Sequence, residues 1–287
     1  MATVIDDIPR MQREAERLRM LGTRVAVVPT MGFLHEGHLT LIRTGKKHAD
    51  VVITTVFVNP TQFAPSEDFA RYPRDLDRDT LLASQAGTDY LFAPQTDAVY
   101  PDNYHSFVEI ERITEVLEGK LRPGHFRGVA TIVAKLFNIT KPHVAVFGQK
   151  DAQQVAVIRQ MIRDLNFDIE LIVCPIVREA DGLAMSSRNT YLTKAERAEA
   201  PILHKSLKHA EELILRGERD AASVIRRVKE VITRNSSAAI DYVSIADAAT
   251  LEELAECKGN MLISLAARFG KTRLIDNITL NVQDAHG

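Results

Sequence analysis

The chain has no tryptophan and only two cysteines in 287 residues. Cys174 and Cys257 argue against a disulfide framework, and both lie among apolar neighbours, as buried free thiols do. A dominant charge sign is lacking too: 36 Lys plus Arg face 38 Asp plus Glu, a net charge of −2. That balance implies no broad basic face of the kind nucleic-acid binders need, although a local patch remains compatible with it. No run approaches eighteen apolar residues, so no spanning helix is expected. The opening Met1-Ala2-Thr3-Val4-Ile5-Asp6-Asp7 has no charged segment followed by an apolar one. The expectation is a cytoplasmic protein. Internal repeats and low-complexity tracts are also missing. What remains, 45% hydrophobic and 26% charged residues, is ordinary for a globular chain long enough for one large domain or two smaller ones.

Short runs rich in Val and Ile, at 24–28, 51–58, 88–92, 144–147 and 169–173, alternate with helix-like stretches at 9–21, 37–49, 76–86, 129–139 and 151–165. This order predicts an α/β fold, a Rossmann-like doubly wound parallel sheet with helices on both faces. In such sheets ligands bind beyond the carboxyl ends of the strands. After a polar loop at 177–188, read as a hinge or lid, the pattern changes. Helices are expected at 195–215 and 221–232, then strands at 242–245, 261–267 and 272–278, with a turn at Gly270-Lys271. The chain thus divides into an expected first domain, 1–180, and a smaller α+β domain, 181–287.

The polar motifs fall at the expected strand ends. Pro29-Thr30-Met31-Gly32 leads into His35-Glu36-Gly37-His38, read as a tight loop opening a helix with two imidazoles one turn apart. The free N–H groups of a helix start make an anion site. Two exposed histidines at a helix start would be the plain alternative. The spacing is not the i, i+4 of zinc proteases, and no third ligand stands out, so zinc is rejected. Asn59 and Gln62 follow the second strand, where amides orient a polar substrate or simply form an Asn-Pro turn. Gly148-Gln149-Lys150-Asp151 sets a cation for a phosphate between strand and helix, with Asp151 a candidate N-cap and Gln154 one turn further on. Arg122-Pro123-Gly124-His125-Phe126-Arg127-Gly128 precedes another helix, either as an anion loop or as a capped connection. Met185-Ser186-Ser187-Arg188 places two hydroxyls and a guanidinium side by side, which suits a nucleotide phosphate. Together these motifs suggest activation of a substrate by ATP at the α-phosphate. No Ser-His-Asp or Cys-His nucleophile can be argued for.

On these residues, with Phe57 to Phe63, Tyr72-Pro73-Arg74, Gly128-Val129-Ala130-Thr131 and Asp181 to Asn189, the chain resembles the pantothenate synthetase (pantoate–β-alanine ligase) family along essentially its whole length. That family belongs to the HxGH nucleotidylyltransferases, whose two signatures are similar to those of class I aminoacyl-tRNA synthetases. The resemblance implies condensation of pantoate with β-alanine through a pantoyl adenylate, with ATP as substrate and Mg²⁺. It implies that Met31, Gly32, Phe33, Leu34, His35, Glu36, Gly37, His38, Gly148, Gln149, Lys150, Asp151, Val177, Met185, Ser186, Ser187 and Arg188 bind ATP. His38, His35, Lys150 and Arg188 would be the catalytic set. Gln62, Gln154 and Asn59 would hold pantoate or β-alanine, and Asp79 is a weaker candidate for magnesium. Phe33 stands where a small residue is common, and Gln149 where Glu is. A homodimer is implied, with the charge-poor strand 51–58 as one contributor, and neither nucleic acid nor membrane as partner. The second domain is expected to act as a lid that carries Met185–Arg188. The competing readings are another adenylyl- or cytidylyltransferase, and a non-catalytic RNA- or nucleotide-binding module.

Overall fold

A computed structural model describes residues 1–65 and 67–282 of the chain. They form two compact units, one of Met1–Gln149 with Val157–Pro175, the other of Lys150–Ala156 with the chain from Ile176 onward. The chain leaves the first unit at Pro175, a few residues before the line between 180 and 181 drawn from the sequence.

The first unit is built on six strands: β1 (Thr3–Ile5), β2 (Val25–Thr30), β3 (Val51–Val56), β4 (Tyr90–Phe92), β5 (Val144–Gly148) and β6 (Glu170–Cys174). Their spatial order is β1-β4-β3-β2-β5-β6, and every pairing is parallel. The connections carry α1 (Ile8–Met20), α2 (Glu36–His48), α3 (Leu76–Ala86), the short α4 (Thr96–Val99) and α5 (Leu117–Leu121), α6 (His125–Thr140) and α7 (Ala152–Asp164). Val25 to Val28 of the central β2 are fully buried, which is why they read as one apolar run rather than an alternation. Ala26 and Val28 share a core with Leu41 and Ile42 of α2 and with Ala83 and Ala86 of α3. By the two-residue period Val25 and Val27 face the other way. There α6 packs on β2 and α1 on α6, and neither helix joins that first core.

The chain passes from β2 to β3 and β4 on one side, and later places β5 and β6 on the other. The order therefore reverses at β2, and the crevice beyond its carboxyl end is where a doubly wound sheet binds ligands. Residues 31–38 leave β2 there, 57–62 leave β3 and 149–151 leave β5.

Three expectations need correction. β3 lies between β4 and β2, so it has no free edge through which to pair with a second copy. α6 starts at His125, after Gly124 at φ 80°, so most of the Arg122–Gly128 segment is helix rather than loop. Its first turn lacks apolar periodicity and hid the start. The single helix expected over 195–215 is two, α8 (Lys194–Glu199) and α9 (Ile202–Leu215), because Pro201 has no N–H to continue the ladder. β1 has three residues, too few for a periodic signal, and was not anticipated.

The second unit adds α10 (Ala221–Asn235) and an antiparallel sheet of β7 (Ala239–Asp247), β8 (Gly259–Phe269) and β9 (Thr272–Val282). Leu203, Leu207, Ala210 and Ile214 of α9, at helical spacing, share a core with Val224, Val228 and Ile232 of α10 and with Ile263 and Leu265 of β8. No described helix is long and apolar enough to cross a membrane.

Candidate active site

The turn from β2 into α2 is held by three side chains. His35 is not on the helix but caps it, in extended conformation, and α2 begins at Glu36. His35 Nδ1 accepts from Gly37 N at 3.2 Å, and His38 Nδ1 accepts from His35 N at 3.3 Å. This reciprocal arrangement is a capping box made from two imidazoles. An Nδ1 that accepts carries no proton, so in each neutral ring the proton sits on Nε2. The ring centroids lie 4.1 Å apart. Two histidine N–H donors thus stand at a helix N-terminus, where the helix dipole also favours an anion.

The third side chain is Asp79, near the start of α3. It is 1% exposed, and its two carboxylate oxygens accept from Phe33 N and Leu34 N, each at 2.7 Å. Burial pushes its carboxyl above the usual range, outweighing the two backbone bonds that lower it. With both oxygens engaged on the backbone, Asp79 is a clamp on the turn. Gly32 has φ 80°, and a Cβ there would lie 2.9 Å from Asp79 Oδ2 and Val56 Cγ1, so the position needs glycine. Phe33 follows at φ 50°, left-handed backbone that favours a small residue, with its ring 5.0 Å from the Arg78 guanidinium. Met31 stands between this turn and the next cluster, its sulfur 3.3 Å from Gln62 Nε2.

Asn59 and Gln62 flank a 3-10 turn, Pro60–Gln62, and both are buried. Asn59 Nδ2 donates to Gln62 Oε1 at 3.0 Å and to the Gly128 carbonyl at 3.1 Å. A Cβ on Gly128 would stand 2.5 Å from Thr61 O, so α6 meets this turn at the closest approach glycine allows. His125 fixes the turn from the same helix. Its Nδ1 bonds the Gln62 carbonyl at 2.8 Å while Arg122 Nη1 donates to its Nε2 at 3.0 Å. That assigns the proton to Nδ1. Burial, and then the Arg122 charge, push the ring down to about 4, so it is neutral at ordinary pH. Arg122 pairs with Glu67 at 2.6 and 3.1 Å. Burial raises the Glu67 carboxyl, but the Arg122 bonds and charge with the Ala64 N–H hold it below its usual value overall. The Arg122–Gly128 segment therefore braces the Asn59–Gln62 turn, and Arg122 is engaged inside the protein.

Gly148 ends β5, and Gln149–Asp151 form a 3-10 turn that delivers Asp151 to the start of α7, where Gln154 lies in the first turn. In the second unit, residues 177–185 close a hairpin: Met185 N donates to Val177 O at 3.0 Å, and Arg178 bridges Ala184. Ser186 then caps a 3-10 turn over Ser187–Tyr191, its Oγ accepting from Arg188 N at 3.2 Å. The expected polar loop is thus a formed structure. β9 braces it. Asp276, 3% exposed, takes Arg178 by two bonds at 2.7 and 2.9 Å, and Asn277 Nδ2 donates to the Lys150 carbonyl at 2.9 Å. Lys150, Ala184, Ser186, Asn189 and Asp276 line one small cavity of this unit. Asp276 and Asn277 were not singled out from the sequence. The signal was there, since two polar residues interrupt the apolar Leu274-Ile275…Ile278 run.

A family model described as Pantoate-beta-alanine ligase matches residues 3–279. The chain belongs to the pantoate-beta-alanine ligase family. It is 55% identical over 279 residues to a pantothenate synthetase of Acetivibrio thermocellus, covering 97% of this chain and 99% of that one. It is 56% identical over 266 residues to that of Moorella thermoacetica, covering 93% and 94%. Among solved structures, the pantothenate synthetase of Thermus thermophilus superposes with a TM-score of 0.92 at 41% identity, covering 96% of this chain and 98% of that one. The pantoate-beta-alanine ligase of Francisella tularensis, complexed with beta-gamma ATP and beta-alanine, gives 0.79 at 35% identity, covering 97% of each. The fold is accordingly the α/β Rossmann-like fold with a smaller C-terminal α+β part, and the chain is a ligase that joins pantoate to β-alanine.

Proposed function

We propose that the chain condenses (R)-pantoate with β-alanine in two ATP-driven half-reactions. In the first, the pantoate carboxylate, already ionised at neutral pH, attacks the α-phosphate of ATP. A C–O–P linkage forms, the α–β phosphoanhydride breaks, and pyrophosphate leaves with its electron pair. In the second, the neutral amine of β-alanine attacks the acyl carbon. The amide C–N bond forms, AMP departs and the amine releases its proton. Neither step needs an enzyme nucleophile.

The observation that carries this reading is the histidine capping box, which sets Nε2–H donors of His35 and His38 at a helix N-terminus beyond β2. Donors fixed before the reaction stabilise charge as it develops on the phosphates. In this reading His38 and His35 clamp the phosphates with Lys150, Ser186, Ser187 and Arg188. Residues 31–38, 148–151 and 185–188 with Val177 bind ATP, and Asn59, Gln62 and Gln154 hold the acid. Orientation of the amine against the activated acyl group supplies much of the second step.

A resident magnesium site does not fit these residues. Among the described residues no group of three or more His, Cys, Asp or Glu could hold a metal, and Asp79 is engaged on the backbone. We take Mg²⁺ to arrive as part of MgATP, since it is commonly held largely by substrate phosphates. Two free buried cysteines suit a reducing cytoplasm, and the balanced charge suits small-molecule rather than nucleic-acid partners. A homodimer is the proposed assembly, to be checked by light scattering on the eluting protein.

The test is to incubate the purified protein with MgATP and pantoate, with and without β-alanine, and to follow pyrophosphate and AMP. Expected is multiple turnover to AMP and pantothenate that depends on both acids. Pyrophosphate release that ignores pantoate would overturn the reading.

A further inference from the structure

The amide pair Asn59–Gln62 is oriented by an atom that acts in one sense only. The Gly128 carbonyl can only accept, so the Asn59 atom 3.1 Å away is Nδ2. The other Asn59 atom is then Oδ1. It accepts the Tyr100 hydroxyl at 2.9 Å and the Thr61 hydroxyl at 2.9 Å. The second hydrogen of Asn59 Nδ2 goes to Gln62 Oε1 at 3.0 Å. Gln62 is left with Nε2 as its outward donor, facing Met31 Sδ at 3.3 Å. A thioether is a weak acceptor, readily displaced by a substrate oxygen.

Tyr100 lies 41 residues from Asn59 in sequence, at the end of α4, where its N–H donates to Thr96 O at 2.8 Å. Its ring packs against Phe57 and Tyr104, with centroids at 6.2 and 5.1 Å. Burial pushes its hydroxyl up to about 12, so it remains a donor at any working pH.

We propose that Tyr100 is a positioning residue for the hydroxy-acid substrate. With Thr61 it holds Asn59 Oδ1, and through Asn59 it fixes Gln62 with Nε2 presented as a donor to an oxygen of pantoate. The inference rests on the assignment of Asn59 and Gln62 to the pantoate pocket. Without both hydroxyls, Asn59 Oδ1, in a side chain only 1% exposed, loses its donors. An unsatisfied buried acceptor of this kind is costly, and Asn59 would turn to relieve it, releasing Gln62.

The experiment compares the unmodified chain with Tyr100→Phe, Thr61→Val, the double variant, and Tyr100→Phe combined with Thr61→Ser. The readouts are KM for pantoate, KM for MgATP, Tm, and selectivity for pantoate over its two monodeoxy analogues. The double variant is expected to raise the pantoate KM about tenfold and to narrow that selectivity, with MgATP KM close to the parent and Tm lowered by only a few degrees. Thr61→Ser should restore most of the loss because it returns a hydroxyl. If the unmodified chain turns over pantoate and the double variant keeps its KM and selectivity, the positioning role is wrong while the proposed function stands. Loss of Tm and of both KM values in parallel would make Tyr100 a packing residue and also overturn it. No pantoate turnover by the unmodified chain would overturn the reading on which the inference rests.

Discussion

His35 and His38 cap one helix by accepting each other's backbone neighbourhood: Gly37 N donates to the first ring and His35 N to the second. Both imidazoles thereby show Nε2–H rather than a lone pair, and the same bonds that stabilise α2 select the tautomer a phosphate requires.

Stability and chemistry can be separated at His38. Glutamine at this third helical position can still complete a capping box. His38→Gln should therefore keep Tm near the parent, while His38→Ala should lose roughly 1 kcal/mol of cap stabilisation. Both are expected to lower kcat for pantoate-dependent pyrophosphate release by about 10²–10³, the usual cost of one such donor. Full activity in His38→Gln would remove His38 from the phosphate clamp.

Asp79 gives a contrasting case. Asp79→Ala orphans the N–H groups of Phe33 and Leu34 and should cost about 2–5 kcal/mol by denaturant unfolding, with Asp79→Asn milder because one acceptor remains. The Mg²⁺ concentration needed for half-maximal activity should be unchanged in Asp79→Asn. A rise of tenfold or more would restore Asp79 as a metal ligand.

Acid should loosen the brace behind Gln62. The His125 ring is held near 4 against an ordinary 6.5, so on acidification the unfolded chain takes up this proton first. Stability from this source is complete above about pH 6.5 and declines between 6.5 and 4. Glu67 is also depressed, so its contribution is present above the ordinary 4.5 and goes as pH falls through its lower folded value. Asp79, raised by burial, acts the other way close to its own range. The His125 share is at most about 3 kcal/mol. Tm measured against pH should fall across this window, and His125→Asn should flatten the slope between pH 6.5 and 4.

Asp276 and Asn277 brace the second unit in different ways. Asp276→Asn leaves the Arg178 charge without its carboxylate, in a place where loss of a partner costs about 3–5 kcal/mol. Asn277→Ala removes the bond to the Lys150 carbonyl, and should raise the MgATP KM about fivefold while the pantoate KM stays put. Equal shifts in both constants would argue that Asn277 serves the fold alone.

Much of the architecture was legible because its signals are local. Fully buried parallel strands read as Val-rich runs, and α3 fell at 76–86 as its pattern predicts. Boundaries failed where a single residue overrode periodicity, as Pro201 does between α8 and α9. The histidine motif and the Asn59–Gln62 pair could be read because polar residues just after apolar strands are conspicuous, and the Ser186-Ser187-Arg188 run because two hydroxyls and a guanidinium stand side by side. Their supports could not. Tyr100 sits at the end of a four-residue helix, and Asp276 lies inside a strand that reads as apolar.

The sequence by itself determined the alternation of strands and helices, and hence a parallel sheet with ligands beyond the carboxyl ends of its strands; the reversal at β2 came from the spatial order of the strands. The sequence also determined the residue types available for phosphate and acid. Only the tertiary structure decided what each polar atom does. It made Asp79 a clamp on the turn after β2, drew Arg122 to Glu67, and set the Gln62 amide N–H against Met31 Sδ. The reason is directional. Hydrogen-bond roles depend on which donor and acceptor meet, and those partners come from segments tens of residues apart that no local pattern links.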